Sequence, residues 1–300
     1  MAPDEVSLMF KHTWVQSIIP LFFAGCLSCS STAQSHAKAP VAEKAPGGGY
    51  LGLDRNLYPG DQMLPAIAKR FSFIGYWLNN PPLTQSNTWI GKRPLLASHN
   101  LGFLVLWNGK PDKEILERAK GGTSATALGV ADAHAAIQAA KREGFPAGTT
   151  IFLDQEEGGR LLQEQADYLF AWTEGVSAGG FHAGAYVSGE PVPDGPGKTI
   201  TTAQNIKDTV TAKHLHSVAL FVYQDTCPPS SGCTLAPPPL TASGTLGAVA
   251  WQFSQSPRNT ANTQACMKTY ASDGNCYVPE IPGVHVDLDV ANERDPSHGR

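Results

Sequence analysis

Asp154 and Glu156 stand one residue apart in Phe152-Leu-Asp-Gln-Glu156, a spacing at which two carboxyl groups can divide acid and base work. If Asp154 closes a β-strand, side chains two apart leave the chain on one side with Cα atoms about 6.5 Å apart, and Glu157 points the other way. A second acidic series, His285, Asp287 and Asp289, alternates with Val284, Val286, Leu288 and Val290, so its polar members share a face. Asp54 ends the short apolar run Leu51-Gly-Leu-Asp54. Gathered at one opening, Asp54, Asp154, Glu156 and Asp287 would repel one another as anions. That repulsion raises at least one pKa and keeps a proton available at neutral pH. One protonated and one ionised carboxyl are what cleavage of a glycosidic bond requires.

Such a gathering needs a scaffold that brings distant strand ends together. From Tyr50 onward, short apolar runs alternate with helical stretches. Candidate strands are Leu51–Asp54, Phe73–Leu78, Leu101–Trp107, Thr150–Asp154, Phe181–Val187, Val218–Tyr223, Gly247–Phe253 and Val284–Leu288. Most are nearly continuous in apolar residues, as strands covered on both faces are. Helices are expected over Val130–Glu143, with Gly144 and Pro146 as the exit, and over Leu161–Val176, ending near Gly179-Gly180. The rhythm predicts an α/β fold, a parallel TIM-type (β/α)8 barrel over residues 50–292 with its chemistry at the C-terminal ends of the strands. Its helices should be reduced in the C-terminal half, where Pro237-Pro238-Pro239 interrupts a connection. A doubly wound sheet is disfavoured because Asp54-Arg-Asn-Leu-Tyr-Pro59 lacks the glycine-rich phosphate loop.

Aromatic residues near the same strand ends offer faces on which a pyranose can stack. Tyr186 and Trp251 are expected to do so, with Tyr76, Trp77 and Trp107 in the core, and Gln252 is placed to bond a substrate hydroxyl. His214-x-His216 lies in a polar connection and is read as solvated. His285-x-Asp287-x-Asp289 could hold a metal and make this a metal-dependent hydrolase, but this is the alternative, and no metal or other cofactor is expected.

Composition bounds the partners. A chain of 300 residues, 42% hydrophobic and 16% charged, has the balance of a globular protein. A net charge of −4 with no Lys/Arg cluster argues against a nucleic-acid partner. No apolar stretch reaches the ~20 residues of a membrane-spanning helix, which excludes a polytopic membrane protein. Residues 1–26 read as an export signal: Lys11 precedes an apolar run from Trp14 to Cys26, and Met9 is an alternative start. Phe23-Ala-Gly-Cys26 resembles a lipobox, so Cys26 is the expected lipidated residue and membrane anchor of a periplasmic or cell-surface lipoprotein; a plain secretory signal is the alternative. Residues 27–49, Ser/Ala/Pro/Gly-rich, form a tether, and 293–300 a polar tail. In an oxidising compartment the remaining cysteines are expected to pair locally, Cys227 with Cys233 and Cys266 with Cys276. A zinc site is the alternative, but it lacks the CxxC spacing. Cys29 is left over.

Read in order, several segments resemble a known family. They are Gly52-Leu-Asp54, Gly75-Tyr-Trp-Leu78, the helix around Asp132-Ala, Gly144-Phe-Pro-Ala-Gly-Thr149, Phe152–Glu156, Gly180-Phe-His-Ala-Gly-Ala-Tyr186, Trp251-Gln-Phe253 and Val286-Asp-Leu288. The set resembles the Rv2525c-like glycoside-hydrolase-like domain (DUF1906), related to the family 25 lysozymes, from Tyr50 to Asn292. The resemblance implies a TIM barrel and a polysaccharide partner, peptidoglycan or a related amino-sugar polymer. It implies Glu156 as proton donor with Asp154 beside it, and Asp54 and Asp287 as acids supporting a sugar-derived cation or oxazolinium. A catalytically silent glycan-binding barrel at the cell envelope is the alternative it leaves open.

Overall fold

The structure is a computed structural model that describes Lys44 and residues 48–227, 237–255, 281 and 284–300. The expected export signal, Cys26, most of the tether, and Cys233, Cys266 and Cys276 lie outside the described residues, and of Cys227 only the backbone is described.

Eight strands close into a barrel. They are β1 (Tyr50–Asp54), β2 (Phe73–Trp77), β3 (Gly102–Asn108), β4 (Thr150–Asp154), β5 (His182–Ser188), β8 (Ala219–Cys227), β9 (Ala248–Ser254) and β10 (Asp287–Ala291). A two-stranded hairpin of β6 (Val192–Pro193) and β7 (Thr199–Ile200) stands apart. Around the ring the order is β1-β10-β9-β8-β5-β4-β3-β2. Helices α1 (Leu64–Arg70), α2 (Arg93–Ser98), α3 (Asp112–Lys120), α4 (Ala125–Arg142), α5 (Gln163–Ala178) and α6 (Thr202–Lys213) fill the connections up to β8. Between β8 and β9 the described residues hold only a 3-10 turn at Leu240–Ser243, in keeping with the prolines before it. Among the described residues no helix is long and apolar enough to cross a membrane.

The barrel is not wholly parallel. β10 runs antiparallel to both its neighbours, β1 and β9. It also starts at Asp287, three residues later than the apolar run suggests, where its ladder with Asp54 opens. The reversal matters for the site, because a strand entering from the mouth presents its first residues there.

Helix ends follow local chemistry. α4 begins five residues before its apolar stripe because the Ser124 hydroxyl accepts the Ala127 N–H at its N-terminus. Inside the barrel, bulk on one strand is matched by its absence on the next: a Cβ on Gly52 would lie 2.1 Å from the Phe73 ring, so only glycine admits that ring. Phe152 and Phe221 meet edge to face with centroids 6.0 Å apart, and Tyr186 lies 4.4 Å from Phe221.

The polar tail is not a free end. β3 and β4 pair only from Val105 and Ile151 onward, which leaves backbone groups at their lower ends without ladder partners. Ser297 supplies them: its N–H donates to the Phe103 carbonyl (2.9 Å), its carbonyl accepts the Thr150 N–H (2.8 Å), and its hydroxyl accepts the Val105 N–H (2.8 Å). An Asp295 carboxyl oxygen accepts the Phe103 N–H at 2.8 Å. Residues polar by composition are here a plug for the barrel base, since open strand ends need donors and acceptors rather than apolar cover.

Candidate active site

Asp54 and Asp154 are the last residues of β1 and β4, and Asp287 is the first of the reversed β10. All three therefore reach the same end of the barrel, and Asp54 stands directly opposite Asp287 in the ladder. With Glu156, Tyr186 and Gln252 they line one cavity of about 310 Å³. Its remaining wall includes Trp77, Leu83, Leu106, Phe221 and Gln255. Gly75 keeps the first acid in place, because a Cβ there would stand 2.6 Å from the Asp54 Cβ.

Depth separates the acids. Asp54, Asp154 and Asp287 are 6%, 6% and 5% exposed, whereas Glu156, two residues beyond the end of β4, is exposed at the rim. The loop that carries Glu156 is pinned by the Tyr223 hydroxyl, which donates to the Glu156 carbonyl at 2.6 Å. A second chain of bonds holds Asp54: the Tyr186 hydroxyl donates to Gln252 Oε1 (2.8 Å), and Gln252 Nε2 donates to Asp54 Oδ2 (2.9 Å).

Crowding of acids in a buried space has the electrostatic result expected of it. The Asp154 carboxyl is pushed well above the usual carboxylate range, first by burial and then by the charges of Glu156, Asp54 and Glu157. The Tyr186 phenol is pushed up by burial and by Asp54, Glu156, Asp154 and Asp287, and so remains a neutral donor. Arg55 lies close enough to Asp287 to feel its charge, which opposes the lowering that burial imposes on the guanidinium. The cavity thus sets Asp154, a buried acid whose pKa is raised, beside other carboxyls, of which Glu156 is at the rim. That is the pairing needed for proton transfer to a leaving oxygen and stabilisation of the cation left behind.

The structure brings Asp54, Asp154, Glu156, Asp287, Tyr186 and Gln252 together, and it corrects Trp251. Trp251 precedes Gln252 on β9, so the alternation that turns Gln252 into the cavity turns Trp251 out of it. The indole is fully buried, donates to the Gln224 carbonyl at 2.9 Å, and packs against Phe253. Trp77, the last residue of β2, takes the place expected of Trp251. It lines the cavity and is fixed by its N–H on the Arg55 carbonyl at 3.1 Å. Its strand-end position was the available signal. Tyr76 points the other way, into Trp89, Phe103 and Phe145. His216 pairs with Glu174 at 2.6 Å on the surface, and His214 caps the end of α6 in a left-handed conformation; neither touches the cavity. Among the described residues no group of three or more His, Cys, Asp and Glu side chains is arranged to hold a metal ion.

A closed α/β barrel whose mouth gathers carboxylates from several strands is a glycoside-hydrolase-like architecture. The family model described as "Rv2525c-like, glycoside hydrolase-like domain" matches residues 74–225, and the chain belongs to that family. The match spans β2 to β8 and so contains Asp154, Glu156 and Tyr186, while Asp54, Gln252 and Asp287 lie outside it. Among curated proteins none matches. Similar solved structures include an uncharacterised protein of B. stearothermophilus, 17% identical over 82% of this chain and 97% of that one, TM-score 0.49. Another is the Tat-secreted protein Rv2525c of Mycobacterium tuberculosis in complex with L-tartrate, 15% identical over 82% and 95%, TM-score 0.46. A third is the spore cortex lytic enzyme SleM of Clostridium perfringens, 16% identical over 84% and 69%, TM-score 0.46.

Proposed function

We propose that this protein is an exported glycosidase of peptidoglycan or a related amino-sugar polymer. It would be held at the cell envelope by a lipid on Cys26 and a tether over residues 27–49. The observation that carries the catalytic part is that Asp54, Asp154 and Asp287, from three different strands, open with Glu156 into one cavity. In the open site the proton of the Asp154–Glu156 pair rests on the buried Asp154. A sugar chain laid across the mouth takes Glu156 out of water as well, and Glu156, at the rim, is the member that reaches the glycosidic oxygen. The proton passes from Asp154 to Glu156, and the C–O bond breaks as the glycosidic oxygen takes it from Glu156, leaving the pair ionised. Positive charge at the anomeric carbon is balanced by Asp54, aimed by the Tyr186–Gln252 relay, with Asp287 beside it. Water adds to the carbon and its spare proton restores the carboxyl pair. Trp77 offers an apolar ring against one sugar face.

The test is release of reducing ends from purified peptidoglycan by the full chain, wild type beside Glu156→Gln. Loss of a general acid lowers turnover by roughly 10²–10⁴-fold. Equal release by both proteins removes the assignment of Glu156, and binding without turnover by either identifies a silent glycan-binding barrel instead.

A further inference from the structure

Asp289 lies one pleat deeper in the barrel than Asp287, on the same face of β10, opposite Gly52 of β1 and beside Gln252 of β9. It is completely buried. Neither of its carboxyl oxygens receives a hydrogen bond from an N–H or O–H group. The group within hydrogen-bonding reach is another carboxyl, that of Asp54. Two carboxylates can share a hydrogen bond only if one of them carries a proton. Asp54 is the one nearer solvent and already accepts from Gln252 Nε2, a bond that favours its anion. The proton therefore belongs on the deeper residue.

We propose that Asp289 is a neutral carboxylic acid that donates its proton in a hydrogen bond to Asp54, and is thereby the positioning residue that keeps Asp54 ionised and aimed at the cavity. Among the described residues, the titratable groups that face it are Asp54 from β1 and Asp287 from its own strand, both acids, and its partner on β9 is the uncharged Gln252. Burial, reinforced by Asp54 and Asp287, raises the Asp289 carboxyl well above the usual carboxylate range, in line with the geometry. Asp54 thus accepts from two neutral donors, Gln252 and Asp289. Both donors reach it from inside the barrel, which orients its carboxyl relative to the cavity. The consequence for turnover rests on the glycosidase reading; the placement of the proton does not.

Two variants of the full chain test this. Asp289→Asn keeps the shape and offers an amide N–H in place of the O–H, whereas Asp289→Leu offers no donor. The carboxylic acid C=O band in the infrared spectrum at neutral pH should be stronger in the wild type than in Asp289→Asn. A buried acid that stays neutral stabilises the fold fully below the unfolded carboxylate pKa of about 3.9 and loses that contribution as pH rises toward its folded value. The Tm of the wild type should therefore fall more between pH 4 and pH 8 than that of Asp289→Asn. Turnover of Asp289→Asn should stay within a few-fold of wild type. In Asp289→Leu, kcat should drop roughly 10- to 100-fold, the cost of losing a hydrogen bond to a charged group, with KM unchanged. An unchanged infrared band or identical pH profiles of Tm would show Asp289 ionised and overturn the proposal. So would Asp289→Asn as inactive as Asp289→Leu, because an amide donor would then fail to replace the acid. Absence of turnover in the wild type would overturn the glycosidase reading instead, and the infrared and stability comparisons would still decide where the proton sits.

Discussion

The two ends of the barrel solve opposite problems with the same kind of residue. At the base, Asp295 and Ser297 meet the backbone N–H groups of Phe103 and Val105, so each polar group answers a strand end that would otherwise be bare. At the mouth, Asp54, Asp154 and Asp287 are buried among one another and Asp154 Oδ1 has no hydrogen-bond partner. Polar residues at the base remove an electrostatic cost; at the mouth they create one. A fold tolerates that cost where the unsatisfied groups are to act on something else. The contrast teaches that the base should be read for stability and the mouth for chemistry, and substitutions can separate the two.

Among substitutions that set the mouth against the base, Asp154→Asn should act most strongly. Removing the buried member of the acid pair should lower turnover on the order of 10²–10³-fold, while the folded protein becomes more stable at neutral pH. The sign follows from the raised pKa of Asp154. Its favourable contribution is complete below the unfolded carboxylate value of about 3.9 and declines as pH climbs toward the folded value, so at pH 7 the acid costs stability that an amide does not. Tm measured from pH 4 to pH 8 should fall less steeply in the variant. A variant that is inactive and also less stable at pH 7 would place Asp154 with the structural residues of the base.

Ser297→Ala tests the other end. It strands the buried Val105 N–H, which should cost about 1–3 kcal/mol and lower Tm by several degrees. Turnover per folded molecule and the pH profile should stay as in the wild type, because nothing in the cavity touches Ser297. A loss of kcat at full folding would mean that the base and the mouth are coupled through β3 and β4, and that the contrast between them is too sharp.

Much of this division was legible in the sequence, and the parts that were not share a physical cause. Near-continuous apolar runs mark strands covered on both faces, so the barrel itself could be anticipated, as could acids at the ends of β1 and β4. Direction cannot be read that way: alternation along Val284–Val290 is the same whichever way the strand runs, and the reversal of β10 depends on its neighbours. Depth is equally hidden. Asp287 and Asp289 are equivalent by spacing, and only the closed ring shows that one meets the cavity and the other meets Asp54. The role of Ser297 was hidden because a polar composition is shared by loose tails and by plugs for open strand ends. The expectation for β9 contradicts strand geometry: Trp251 and Gln252 are adjacent in a strand and cannot both face the mouth.

That last point supplies the mildest test, which carries the comparison from the ends of the barrel to its two faces. Trp77→Phe removes part of a ring that lines the cavity, and a stacking contribution of about 0.5–1.5 kcal/mol predicts a rise in KM of roughly 2- to 10-fold with kcat nearly unchanged. Trp251→Phe deletes the hydrogen bond to the Gln224 carbonyl and leaves a small void outside the cavity, so it should lower Tm and leave KM alone. Both indoles are buried at strand positions near the mouth, and only side-chain parity distinguishes them. If Trp251→Phe raised KM as much as Trp77→Phe, sugar contact would extend to the outer face of β9, and the cavity would not be the whole binding surface.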